Sequence, residues 1–350
     1  MSRGLAVILL YLAGSRLLNL LLSPVFAHTL KRLGIVHALI LGQLTMPLSF
    51  LLFTQMDRSP WLVLGVLMLL RAVDLGVYWT AHHIFLSSEL KLSHIGNSIG
   101  VFTFLTGLAT IVAPLLGVLT ASAVNYQTVF LIGMVIQLAS IVFLLGVPNI
   151  HTRTLWHWSD FRHWLRGPGA RSTAATIGGQ IWESIGMSFI WPIFLFINLN
   201  NLNSVGYILS AAAFLAWLLS YFAGVSFDHR QIKTPLRVGS GALLGLLWFP
   251  RWFFAAFPIM LVFIDAIDKI SCSVYDTVIY ASIVVEAKST GVLLFFMNRQ
   301  VVISLVESMG AIFFLLLLHF TWNWPFVFLS FLLAVLSSVH YRPKTEWRET

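Results

Sequence analysis

Eleven apolar stretches, each about as long as the roughly 20 helical residues that cross a bilayer core, take up most of this chain. They run near 4–27, 34–55, 60–86, 95–121, 126–148, 173–198, 203–227, 234–250, 252–283, 290–319 and 324–341. A water-facing fold cannot hide that much apolar surface. Of 350 residues, 58% are hydrophobic and 10% charged, with a mean hydropathy of +0.88, whereas a soluble chain carries about 25% charged residues. The expected solvent is the lipid bilayer. The expected structure is an all-α integral membrane protein, because a helix satisfies its own backbone where no water can. The shortest stretch, 234–250, ends in "LLWFPRWFF", where Pro250 and Arg251 predict a break. The first stretch is too long for a cleavable signal peptide and is interrupted by Arg16. The single cysteine, Cys272, excludes an intramolecular disulfide.

The polar residues between the stretches set an orientation. A net charge of +8 reads, in a membrane chain, as the cytoplasmic loop excess of Lys and Arg, and no nucleic-acid partner is expected. Loops on one side hold Lys31, Arg32, Lys91, Arg153, Arg162, Arg166, Arg171, Arg230, Lys233, Arg237, Lys288, Arg342, Lys344 and Arg348. Loops on the other side hold Arg3, Arg58 and Arg251. Fourteen against three predicts a cytoplasmic C-terminus, and eleven spans then put the N-terminus outside. The expected location is a cell (inner) membrane of prokaryotic type.

The longest polar interruption, 149–172, separates five stretches from six, giving bundles at 1–148 and 173–350 joined by a basic, Trp-rich linker. Trp156, Trp158 and Trp164 beside four arginines predict a segment lying on the inner leaflet. The halves echo each other. Ala27 to Gly42 crosses the first inside loop, and Gly224 to Gly239, "GVSFDHRQIKTPLRVG", crosses the matching loop of the second half at the same length. Internal repeats of this kind mark secondary transporters.

On these residues the chain resembles the major facilitator superfamily. The family places a G-x-x-x-D-R-x-G-R-R type loop between its second and third helices and a degenerate copy between its eighth and ninth. Here the first copy offers Ala27, Lys31, Arg32 and Gly34 and lacks the acid; the second offers Gly224 and Asp228 and lacks the later Gly. "APLLG", Ala113 to Gly117, is similar to the Gly-Pro-x-x-Gly element of the family's fifth helix. The resemblance implies a two-bundle fold, alternating access, and conformational switching at Lys31, Arg32, Gly34, Gly224 and Asp228. It also implies that the first stretch is the family's second helix and that the first helix is missing, leaving bundles of five and six spans.

Ten ionisable residues fall inside the stretches: Arg16, Arg71, Asp74, Glu183, Asp265, Asp268, Lys269, Asp276, Arg299 and Glu307. Facing lipid they would cost on the order of 30 kcal/mol at about 3 kcal/mol each, so most must pair or line a polar cavity. Asp265, Asp268, Lys269, Cys272 and Asp276 fall on one helix face. Arg71, Asp74, Tyr78 and His82 form a second stripe, and Gln180, Glu183, Met187 and Trp191 a third. In family terms these are the tenth, fourth and seventh helices, which line the cavity. Asp265 with Lys269 and Arg71 with Asp74 are at pairing distance on their own helices. Arg16 and Arg299 are candidates for an anionic substrate or for a carboxylate on another helix. Glu183 has no basic neighbour within four residues. It lies about 15 Å into its stretch, near the bilayer midplane, and is the preferred proton-sensitive group, with Gln180 and Trp191 expected around it.

No Walker loop, H-E-x-x-H helix or G-x-S-x-G elbow is present, and no enzyme activity, cofactor or metal is expected; His82 and His83 lack a second ligand pair. The leading reading is a secondary active transporter of a small solute, coupled to protons through the intramembrane carboxylates. The alternatives are a non-transporting scaffold or receptor on the same fold, and an intramembrane enzyme.

Overall fold

The computed structural model describes residues 2–56, 58–90, 95–152, 154–167, 169–199, 201–227, 233–254, 257–320 and 324–339. Among them every regular element is a helix: α1 (Ser2–Leu33), α2 (Ile35–Gln43), α3 (Thr45–Phe53), α4 (Pro60–Val73), α5 (Thr80–Glu89), α6 (Ile95–Ala123), α7 (Tyr126–Val142), α8 (Trp158–Arg166), α9 (Ala170–Ile185), α10 (Trp191–Leu199), α11 (Leu202–Phe227), α12 (Lys233–Phe253), α13 (Pro258–Thr290), α14 (Val292–Phe320) and α15 (Trp324–Val339). Two π-helical segments, Asp74–Trp79 and Gly186–Ile190, join α4 to α5 and α9 to α10, and among the described residues each of the eleven apolar stretches is mainly helical. Among the described residues six spans are long and apolar enough to cross a membrane: Gly4–Leu33, Ile35–Phe53, Pro60–Glu89, Phe104–Ala123, Ala170–Leu199 and Val292–Leu317. The protein is a multi-pass membrane protein.

The helix ends have local causes. Gly34, between α1 and α2, has φ 82° and ψ 167°, a region nearly confined to glycine that costs a side chain about 1–3 kcal/mol, and Gly291 has φ 101° between α13 and α14. Asn125 caps α7, its Oδ1 accepting from the Thr128 amide at 2.8 Å. Asp160 accepts from the His157 amide at 2.7 Å and starts α8. One expected break does not occur. Pro250 lies inside α12, which continues to Phe253. Arg251 is therefore not a loop residue but sits in the last helical turn, with no exposed surface.

Two compact units are present. The first comprises Met1–Glu89, Val124–Ala174 and Ala287–Trp322, and the second Leu90–Ala123, Ala175–Glu286 and Asn323–Thr350. Within the first, α1 packs along α14 and α4, and α3 along α7. Asn19 ties this unit together. Its Nδ2 donates to the Ala72 carbonyl at 2.9 Å, and its Oδ1 accepts from Ser304 at 2.7 Å and Gln300 at 3.3 Å. Such bonds between helices carry weight where apolar burial gives no preference for protein over lipid. Within the second unit, α6 packs along α11 and α12 along α15. The Trp217 indole lies over Gly107 and donates to the Phe104 carbonyl at 2.9 Å. A β-carbon at Gly107 would come within 2.6 Å of that ring.

Candidate functional site

The second unit gathers five of the ten intramembrane charges together with a residue the sequence reading placed in a loop. The Arg251 guanidinium, carried on α12, donates from Nη2 and Nε to Asp265 Oδ1 at 2.9 and 3.2 Å, and Nη2 lies 3.2 Å from Asp268 Oδ2. Two indoles wall it in, with ring centroids 4.9 Å away for Trp191 and 4.7 Å for Trp248. The Trp191 Nε1 donates to the other oxygen of Asp265 at 2.8 Å. Arg251 and Asp265 have no exposed side-chain surface. A guanidinium suits this place: its planar fork matches carboxylates and its face stacks on aromatic rings. Asp265 thus pairs with Arg251 and not with Lys269, and among the described residues Lys269 forms no salt bridge.

The rest of the stripe on α13 is also engaged. Asp276 Oδ1 accepts from Gln180 Nε2 at 2.6 Å, and Oδ2 from Cys272 Sγ at 3.2 Å. Gln180 therefore serves Asp276, and Trp191 serves Asp265; neither hydrogen-bonds Glu183 as the sequence reading expected. Glu183 is 6% exposed and lies within electrostatic reach of Asp268, Arg251, Asp276 and Lys269. Its Oε1 and the Asp268 Oδ1 are buried without a hydrogen-bond partner among the described residues. Three residues after Glu183 the helix widens into the π segment Gly186–Ile190, a distortion frequent at functional places. Gly186 sits there against Trp248 and Phe331, at 2.8 and 2.9 Å from where a β-carbon would stand.

In the first unit the expected charges pair. Arg16 Nε on α1 is bonded to Glu307 Oε2 on α14, so the carboxylate on another helix is the partner Arg16 takes. Arg71 Nη1 lies 2.5 Å from Asp74 Oδ2 on the next turn, at the start of the first π segment. Arg299 is buried on α14. Among the described residues no group of three or more His, Cys, Asp or Glu is placed to hold a metal.

The expected switch residues divide. Lys31 and Arg32 end α1 and are exposed. Gly34 is clasped by Asn149, whose Oδ1 accepts from the Val36 amide at 3.0 Å and whose Nδ2 donates to the Leu33 carbonyl at 2.8 Å. Gly224 lies inside α11. Asp228 lies outside the described residues, as do Lys91, Arg153, Arg230, Arg342, Lys344 and Arg348. The linker is partly helical, and Trp156 turns inward: it is 1% exposed and donates to Asn298 Oδ1 at 2.8 Å. Only Trp158 and Trp164 keep the half-buried position expected at an interface.

Arg251 and Asn149 are the residues that sequence reasoning missed. Arg251 carried one signal, an arginine set between Trp248 and Trp252 in a half with five intramembrane acids against Lys269 and Arg299. Asn149 carried none, since its partner loop lies 113 residues away.

No protein-family model matches the chain, and no curated protein sequence matches it. Solved structures do. The human organic anion transporter MFSD10 (TETRAN) is similar at a TM-score of 0.72 and 11% identity over 94% of this chain and 82% of that one. FucP, a major facilitator superfamily transporter in the outward conformation, is similar at 0.68 and 12% identity over 97% and 89%. At such identity the likeness establishes the fold, and the chain has the major facilitator fold.

Proposed function

We propose that this protein is a secondary active transporter of a small solute, working by alternating access and coupled to protons, with Glu183 as the group that carries the proton. The fold supports transport; the sequence halves 1–148 and 173–350, joined by 149–172, are the parts that would rock. The observation that carries the coupling is Glu183 itself. A carboxylate held away from water with an unpartnered oxygen is costly as an anion, and taking up a proton removes most of that cost. When water reaches the site the anion is tolerated again, so the two states differ in proton occupancy, as coupling requires. The surrounding acids strengthen the case. Asp265 and Asp268 have Arg251, Asp276 has Gln180 and Cys272, and Glu183 Oε1 has no hydrogen-bond partner among the described residues. The remaining charges serve packing in this reading: Arg16 with Glu307 and Arg71 with Asp74 neutralise one another. The orientation with Lys31 and the linker at the cytoplasm belongs to the same proposal.

The test is uptake into proteoliposomes holding the purified protein. A panel of amines, guanidines, sugars, carboxylates and amino acids is offered with and without an imposed pH gradient. At least one solute accumulates against its own gradient only when the pH gradient is present. Equilibration of none of them supports the scaffold reading instead.

A further inference from the structure

We infer that the acid cluster of the second unit is a binding site for a small organic cation of the guanidinium type, which exchanges with the proton on Glu183. The inference rests on the transporter reading above and names its substrate class. Three observations lead to it, beginning with charge. Glu183, Asp265, Asp268 and Asp276 come together with Arg251 and Lys269, four acids against two bases, so the fully ionised cluster lacks two positive charges. Buried charges are tolerated only when compensated.

The second observation is acceptor capacity. Glu183 Oε1 on α9 and Asp268 Oδ1 on α13 are buried without hydrogen-bond partners among the described residues, as is the Gln180 Oε1 one turn before Glu183. Glu183 and Asp268 are 6% and 1% exposed. Unpartnered acceptors beside uncompensated negative charge call for a positively charged donor with several N–H groups. The third observation is the place of Arg251. The unit already holds one guanidinium between two indole faces, with two carboxylates at its edge. The unpartnered donors nearby, Arg251 Nη1 and Trp248 Nε1, belong to that resident cation and its wall. In this proposal a ligand of the same chemistry takes the Asp268 oxygen that Arg251 does not, Oδ1, and has Glu183 as its own counter-ion.

Exchange follows from Glu183 having one negative charge to neutralise. In a closed state either a proton or the cation satisfies it, because the protonated carboxyl is no counter-ion for a cation and the carboxylate paired with the cation no longer needs the proton. The cation entering an opened site therefore displaces the proton, and the proton returning displaces the cation.

The test uses methylguanidinium as probe on the purified full-length protein in detergent, read by calorimetry and by tryptophan fluorescence. Saturable binding is expected at pH 8, with affinity falling as the pH is lowered. One proton is released per cation bound when the Glu183 proton is in place. Sodium chloride at equal ionic strength gives no such signal. Glu183→Gln, checked for monodisperse elution, should weaken binding by about tenfold or more, the loss of one charge-assisted hydrogen bond, and should remove the pH dependence; Glu183→Asp restores both in part. The pH competition is read on the unaltered protein and does not depend on any variant folding. Absence of saturable binding overturns the cation site and leaves the proton role of Glu183 to stand or fall on transport measurements. Binding that ignores pH, survives Glu183→Gln or is matched by sodium overturns it as well.

Discussion

Arg251 and Asp265 are joined at 2.9 Å with no exposed side-chain surface on either. One comes from the last turn of α12 and the other from the second turn of α13. The pair fixes how two helices of the second unit meet. Both charges have left water, so each depends on the other.

Removing one partner should therefore cost more than removing both. Arg251→Met leaves Asp265 and Asp268 without their cation and is expected to destabilise the protein by about 3–5 kcal/mol. Arg251→Lys should lose part of that, since an ammonium cannot reproduce the fork or the stacking. The triple change Arg251→Met, Asp265→Asn, Asp268→Asn should recover much of the loss. Chemical denaturation in mild detergent reads the order of the four proteins. If Arg251→Met is as stable as the unaltered chain, the buried pair has no structural role.

Gly34 supplies a second case. Its φ of 82° disfavours any side chain, and a β-carbon would stand 2.4 Å from Asn149 Nδ2. Gly34→Ala is expected to cost about 1–3 kcal/mol from the backbone alone, with further loss as Asn149 is pushed off the start of α2. Adding Asn149→Gly should relieve the contact but not the backbone cost. The check is the melting temperature of the single and double variants. A Gly34→Ala protein that melts with the unaltered chain would contradict the observed loop.

Orientation is tested by labelling. In a Cys272→Ser background, a cysteine at Lys31 should react with a membrane-impermeant maleimide only from the cytoplasmic side. A cysteine at Arg58 should react only from outside. Labelling of position 58 from the cytoplasm alone would reverse the assigned topology.

Much of this was legible because lipid imposes strong rules. Each apolar stretch became a helix, since a spanning backbone has no other way to satisfy its groups. The stripe Asp265, Asp268, Cys272, Asp276 does share a face, because helical spacing alone dictates it. Partners across helices were not legible. Arg16 takes Glu307, 291 positions away, and Gln180 takes Asp276, 96 positions away; such pairs depend on which helices pack. Arg251 was misread for a specific reason. Proline usually ends a helix, but one turn from the C-terminus it removes little, and α12 continued past Pro250 to bury the next residue. The grouping of helices was equally hidden. The chain divides in sequence at 149–172, yet α14 packs in the first compact unit and α6 in the second.

The central claim is that Glu183 carries the coupled proton, and Glu183→Gln tests it most directly. The amide keeps the shape and removes the titrating group, and no described partner of Oε1 is lost. In proteoliposomes the variant should insert normally and still exchange solute across the membrane at equal concentrations. Accumulation driven by a pH gradient should be absent. Gradient-driven accumulation by Glu183→Gln with the pH dependence of the unaltered protein would contradict the account and move the proton site to Asp268.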